Sequence, residues 1–144
     1  IALSNPTSHT ECTAEQAYEW SDGRAIFASG SPFNAVQYGT QRYKPAQGNN
    51  AYIFPGVGLG VYASSARLVT QNMFLAAARE LARIVTDQEL RDGAVYPNLT
   101  RVREVSHAIA LAVSRVAIEE GLTDACLPQD LSSYIKSLMY EPNY

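Results

Sequence analysis

The sequence predicts an α/β fold that opens as a parallel α/β unit and continues as a mainly helical portion, and three observations predict it. Residues 1–32 run as apolar stretch, turn, capped helix, apolar stretch and turn, the order from which parallel sheets are built. Beyond residue 70, apolar residues recur at the three-and-four spacing of buried helix faces. Near Asn50 the chain changes character from the first pattern to the second.

Ile1-Ala2-Leu3-Ser4 reads as the end of a buried strand, stopped by Asn5-Pro6. No Met or polar lead-in precedes it, and a charged amine is costly to bury in a sheet, so the expectation is a C-terminal portion of a longer protein. Thr13-Ala14-Glu15-Gln16 has the spacing of a capping box and opens a short helix to Trp20. Asp22-Gly23 turns the chain into a second short buried strand, Ala25-Ile26-Phe27-Ala28, which Ser29-Gly30-Ser31-Pro32 ends. Ligands of parallel sheets gather at the loops after the strands' carboxyl ends, so Asn5 and Ser29-Gly30-Ser31 are expected at that rim. Gly39-Thr40 reads as a hairpin turn joining Val36-Gln37-Tyr38 to Arg42-Tyr43.

Residues 72–85 predict a helix with Phe74, Ala77, Ala78, Leu81, Ile84 and Val85 as its apolar stripe. Thr86-Asp87-Gln88-Glu89 is another capping box, opening a brief helix that Gly93 stops. After Pro97 a second long helix runs from near Thr100 to Glu120, with Val102, Val105, Ile109, Ala112, Val113 and Val116 inward and Gly121 as its end signal. A last helix covers residues 129–139, before Glu141-Pro142.

The 144 residues suit one ordinary domain that buries roughly two thirds of its unfolded surface. A net charge of −3 with interspersed signs offers neither a basic stripe for nucleic acid nor a polybasic patch for membrane. No apolar run approaches the roughly 20 residues of a membrane span. Cys12 and Cys126 are too few and too far apart for a zinc cluster or a disulfide scaffold, which predicts free thiols and a reducing compartment. The expected location is cytoplasmic, with the mitochondrial matrix as the alternative.

Residues 47–60, QGNNAYIFPGVGLG, carry glycines at 56, 58 and 60 and raise the question of a phosphate-cradling loop. A dinucleotide fingerprint needs a third glycine five positions after the first, and that position is Val61. The acidic residue expected about 20 positions on falls near Arg79-Glu80, inside a predicted helix and not at a strand end. The alternative is that Phe54-Pro55 starts a helix, with Pro in its first turn and the small residues 56, 58, 60 and 63 permitting close packing.

Three ordered blocks carry a family resemblance. Ser4-Asn5-Pro6-Thr7 with Glu11-Cys12-Thr13-Ala14-Glu15, then residues 27–33 (FASGSPF), then Gln47-Gly48-Asn49-Asn50 with Tyr52-Ile53-Phe54-Pro55-Gly56, resemble the carboxyl-terminal third of a malic enzyme. The resemblance implies oxidative decarboxylation of malate to pyruvate and carbon dioxide with NAD or NADP and a divalent metal, Mg or Mn. It implies that residues 1–49 end the NAD(P)-binding domain, 50–125 form a helical return segment of the catalytic domain and 126–144 a C-terminal tail. It also implies a homo-oligomer, a dimer or tetramer, with malate and pyruvate as ligands. Asn5, Asn49 and Asn50 match substrate-binding asparagines, and Asn5 with Ser4 is expected near the cofactor. The family's tyrosine acid, lysine base, substrate arginine, metal carboxylates and glycine fingerprint lie upstream of the matching segment, so this segment alone is expected to contain no catalytic residue or metal ligand and to be inactive. Ala46 departs from the glycine many members carry before the Gln-Gly/Ala-Asn-Asn block.

Asparagine suits the chemistry, because a neutral amide offers donors to malate's carboxylates and an acceptor to its hydroxyl without the repulsion of an Asp. Against this stands a local role: Asn5 precedes a proline in a turn, and Asn49 or Asn50 is where a helix N-cap would sit. His9 and His107 lack partners at metal-ligand spacing. Ser29 and Ser31 are not in a nucleophile-elbow order, and Asn98-Leu99-Thr100 is a glycosylation sequon by pattern only. The rival to the enzyme reading is a non-catalytic helical interaction or assembly module, since apolar helix faces without their sheet would seek partners.

Overall fold

In the structure, a computed structural model, residues 2–141 are described. Along the chain run α1 (Ala14–Trp20), β1 (Ala28–Ser29), β2 (Val36–Tyr38), β3 (Gln41–Tyr43), β4 (Ala46–Gln47), α2 (Phe54–Ser64), α3 (Gln71–Ile84), α4 (Asp87–Arg91), α5 (Val102–Glu119) and α6 (Leu131–Leu138). Short 3-10 turns cover Thr7–His9, Asn50–Tyr52 and Leu99–Arg101. Two compact units result, one from residues 1–49 and 82–98, the other from 50–81 and 99–144. Among the described residues no helix is long and apolar enough to cross a membrane.

The first unit is the α/β one. β1 and β4 pair in parallel, Ala28 opposite Ala46 and Ser29 opposite Gln47. Ala2 adds a parallel bridge to Ser29, with its N–H on the Ala28 carbonyl and its own carbonyl taking the Gly30 N–H at 2.9 Å. The predicted strand at 1–4 is thus realised as a bridge at Ala2, Ile1 lying outside the described residues. The predicted strand at 25–28 is shorter and later than expected. Ile26 is exposed at 73% while Phe27, Ala28 and Ser29 are buried, so only Ala28–Ser29 pairs. β2 and β3 form the predicted hairpin across Gly39-Thr40, Gly39 taking the positive φ of 59° that the tight turn requires.

Helix α1 begins where the capping box predicts. Thr13 Oγ1 accepts from the Gln16 N–H at 3.2 Å, and the Gln16 side chain accepts from the Thr13 N–H at 2.9 Å. Its inner face delivers Ala14 and Tyr18 to a core shared with Ala2, Phe27 and Val36. The Tyr18 ring stacks on Tyr43 with centroids 4.3 Å apart, and Tyr43 donates its hydroxyl to the Gly23 carbonyl. The buried Tyr18 hydroxyl has no hydrogen-bond partner among the described residues, and burial, with Tyr43 adding to it, pushes its pKa up. A buried unpaired hydroxyl costs free energy that a phenyl ring does not. Tyr18→Phe is therefore expected to leave the unfolding free energy unchanged or raise it by up to about 1 kcal/mol, with the unfolding midpoint following. A clear fall in the midpoint measured by thermal unfolding would show that the hydroxyl is satisfied in solution. Thr86 and Glu89 repeat the capping box at the start of α4. Lys44 ties the hairpin side to the end of that helix, donating its backbone N–H to the Asp92 carbonyl and its ammonium to the Asp92 carboxylate, which holds that carboxyl below its usual range.

The second unit is helical. Phe54-Pro55 starts α2 as predicted, proline sitting in its first turn. Gly56, Gly60 and Ala63 form the buried side of α2, and ideal Cβ atoms on Gly56 and Gly60 would meet Ile109 and Val113 of α5 at 2.7 and 2.8 Å. The glycines therefore let two backbones approach. Ser64 and Ser114 both donate to the Gly60 carbonyl, at 2.7 and 3.0 Å. Ile135 of α6 closes this core on Ala63 and Ala110. The stripe of α3 differs from expectation, since Met73, Ala77 and Leu81 are buried while Phe74 and Ala78 are exposed. In α5 the predicted Val105, Ile109 and Val113 are buried, joined by Ser106, Ala110, Ser114 and Ala117, while Val102, Ala112 and Val116 are half-buried. Asp130 caps α6 by accepting from the Ser133 N–H. Cys12 and Cys126 are both free.

Candidate functional site at the carboxyl rim of the parallel strands

Three chain segments leave the parallel strands of the first unit in the same direction: Leu3-Ser4-Asn5 after Ala2, Gly30-Ser31 after β1, and Gly48-Asn49 after β4. Backbone and side-chain bonds join them. The Gly48 N–H donates to the Ser29 carbonyl at 2.8 Å, and Gln47 Nε2 donates to the Gly30 carbonyl at 3.0 Å. Ser31 Oγ donates to Asn5 Oδ1 at 2.8 Å, and Ser29 Oγ donates to the Ser31 carbonyl at 2.6 Å. Gly30 is required by this closeness, because a Cβ there would lie 2.5 Å from the Leu3 carbonyl oxygen.

The predicted site residues fall as follows. Asn5 is exposed at the first rim segment, with its amide oxygen held by Ser31. Ser4 is half-buried, and its hydroxyl donates to Glu11 Oε1 at 2.6 Å, which together with the backbone holds the Glu11 carboxyl below its usual range. Asn49 is exposed at the end of the third segment. Asn50, also exposed, is the first residue of a 3-10 turn whose carbonyl takes the Ile53 N–H, and it belongs to the helical unit. The structure thus gathers Asn5, Ser4 and Asn49 on one rim. Neither Asn49 nor Asn50 caps α2, whose N-cap position is Ile53 with no side-chain bond.

The bonds of Ser31 and Gln47 across the rim are not legible in the sequence. The structure places Ser31 at the rim where the strand order predicts it, but its link to Asn5 spans 26 positions, beyond any local pattern. His9 lies in a 3-10 turn away from any ligand set, and His107 places Nε2 2.9 Å from the Ser132 carbonyl oxygen, a packing role inside the helical unit. Among the described residues no three His, Cys, Asp or Glu side chains form a group able to hold a metal ion. Among the described residues the rim glycines are packed, Gly30 against Leu3 and Asn5 and Gly48 against Leu3 and Tyr96, while Gly56, Gly58 and Gly60 lie within α2.

The family pattern described as malic enzyme, NAD binding domain, matches residues 1–118. The chain belongs to the malic enzyme family. An NADP-dependent malic enzyme of Dictyostelium discoideum is 50% identical over 144 residues, all of this chain and 26% of that protein. A chloroplastic NADP-dependent malic enzyme of Oryza sativa subsp. japonica is 51% identical over 145 residues, again all of this chain and 23% of that protein. The crystal structure of a malic enzyme from Pyrococcus horikoshii matches with a TM-score of 0.67 at 25% identity, covering 95% of this chain and 28% of that one. This malic enzyme segment spans about a quarter of the length of the relatives it matches. Its α/β fold with parallel strands is that of the family, and the glycines of residues 56–60 belong to a helix, as their spacing requires.

Proposed function

We propose that this chain works as part of an NADP-dependent malic enzyme, which converts malate to pyruvate and carbon dioxide, and that it supplies the asparagines that hold and orient malate. NADP rather than NAD is favoured because the relatives about half identical over the whole chain are named NADP-dependent. The observation that carries the substrate role is the hydrogen-bonded rim, with the Asn5 amide fixed by Ser31 and Asn49 following β4 on the same edge. Open parallel sheets bind ligands at such edges.

Malate is a dianion whose C2 hydroxyl becomes a ketone. A bound nicotinamide would supply the acceptor for the hydride that leaves C2. Asn5 and Asn49, with Asn50, donate N–H groups to the carboxylates and restrict the angle at which C2 faces the ring, a contribution of orientation and not of proton transfer. Ser4, through Glu11, keeps the Asn5 segment in place beside the cofactor. The proton-transfer groups and the divalent cation's ligands come from other parts of the whole protein, residues 1–49 close the dinucleotide-binding domain, 50–125 return to the catalytic domain and 126–144 form a tail. A cytoplasmic homo-oligomer completes the reading.

The test compares the whole protein with residues 1–144 alone, following malate-dependent NADPH formation with Mg or Mn present. The whole protein is expected to form NADPH and pyruvate in equal amounts. Residues 1–144 alone are expected to form none. NADPH formation by the segment would overturn the division of labour, and a whole protein inert toward malate would overturn the function.

A further inference from the structure

We propose that Ser31 is a positioning residue that turns the Asn5 amide so that only its N–H donors face the bound substrate. The inference rests on the assignment of Asn5 as a malate contact. Ser31 is only 4% exposed, and its hydroxyl proton goes to Asn5 Oδ1 at 2.8 Å. Its own carbonyl is occupied by the hydroxyl of the fully buried Ser29. The turn that carries it is held on both sides, by the Gly30 N–H on the Ala2 carbonyl and by Gln47 on the Gly30 carbonyl.

An asparagine amide can present either its oxygen or its nitrogen to a ligand, and nothing in the side chain itself chooses. Here the bond from Ser31 chooses. Reversing the amide would make Nδ2 the donor to Oγ and leave the single hydroxyl proton of Ser31 to find another acceptor in a buried place, which is unfavourable. Gly30 leaves room for the amide beside Ser31, since a Cβ there would come 3.0 Å from Nδ2 and 3.1 Å from Oδ1. Nδ2 donates to no group among the described residues, and Asn5 is exposed. The side chain therefore offers the rim two N–H donors and no free carbonyl facing Ser31's side. Donors suit a carboxylate or the oxygen that becomes a ketone. They do not suit accepting the malate hydroxyl proton, which must go elsewhere.

The experiment uses the whole enzyme and a double-mutant cycle over Ser31→Ala and Asn5→Ala, with steady-state kinetics for malate and NADP and thermal unfolding for every variant. Ser31→Ala is expected to lower kcat/KM for malate roughly tenfold, as for one hydrogen bond to a charged partner misaligned, with KM for NADP unchanged. In the Asn5→Ala background the same change should cost nothing further, because Ser31 acts only through that amide. Ser31→Thr keeps the hydroxyl and should restore most of the activity. Ser31→Cys, close in size but a poor donor, should behave like alanine and serves if alanine does not fold. Normal malate kinetics in Ser31→Ala beside impaired Asn5→Ala would overturn the positioning role alone. So would additive losses in the double variant. Normal kinetics in Asn5→Ala would remove the malate contact itself and the inference with it.

Discussion

Gly60→Ala is expected to cost the helical unit roughly 2–3 kcal/mol, whereas Gly58→Ala, half a turn away on the same helix, is expected to stabilise it by about 0.5–1 kcal/mol. The two glycines look alike in the sequence. A Cβ on Gly60 would stand 2.7 Å from the Ala110 carbonyl oxygen and 2.8 Å from Val113 Cβ, both on α5, and neither is the flexible end of a side chain. Relief requires α2 and α5 to separate, which also strains the Ser114 bond to the Gly60 carbonyl. A Cβ on Gly58 meets nothing within 4 Å, so only the gain in helix propensity remains. Gly56→Ala should follow Gly60, its Cβ falling 2.7 Å from Ile109. Thermal unfolding of the whole protein measures all three. Equal effects at 58 and 60 would mean that the α2–α5 interface does not depend on glycine.

The local signals in this sequence were strong enough to read. Thr13 with Gln16 and Thr86 with Glu89 fix helix starts because a capping box is complete within four residues. The hairpin at 36–43 is equally local. What periodicity alone left open was which of two adjacent apolar positions faces inward. In α3, Met73 and Phe74 compete, and the smaller, unbranched methionine is the buried one. In α5 the seam facing α2 includes Ser106 and Ser114, which hydropathy counts as polar but which close packing selects for size. The strand at 25–28 was overextended because a run of apolar residues does not reveal that Ile26 points to solvent. At the rim, the asparagines draw notice through their blocks of neighbours. The bond from Ser31 to Asn5 does not show in the sequence, because the partners are 26 residues apart and only the fold brings them together.

The asparagines themselves give the prediction with the largest kinetic effect. In the whole enzyme, Asn49→Ala and Asn5→Ala should each lower kcat/KM for malate roughly ten- to more than a hundredfold, since a hydrogen bond to a charged group contributes on the order of 1.5–3 kcal/mol. NADP binding should change far less. Stability should move by about 1 kcal/mol or less, the scale of a lost cap or turn contact. The structure narrows the competing explanation, because the N-cap position of α2 is Ile53 and makes no side-chain bond, so neither Asn49 nor Asn50 can owe its place to capping that helix. For Asn5 the competing role is the turn before Pro6, and Asn5→Asp separates the two. Aspartate keeps the oxygen that Ser31 grips and loses the N–H donors, so it should preserve the unfolding midpoint while malate kinetics collapse, aided by repulsion of the dianion. Wild-type malate kinetics in Asn5→Asp and Asn49→Ala, with only the midpoint lowered, would leave the rim asparagines as structural residues and send the search for the malate contacts to other parts of the protein.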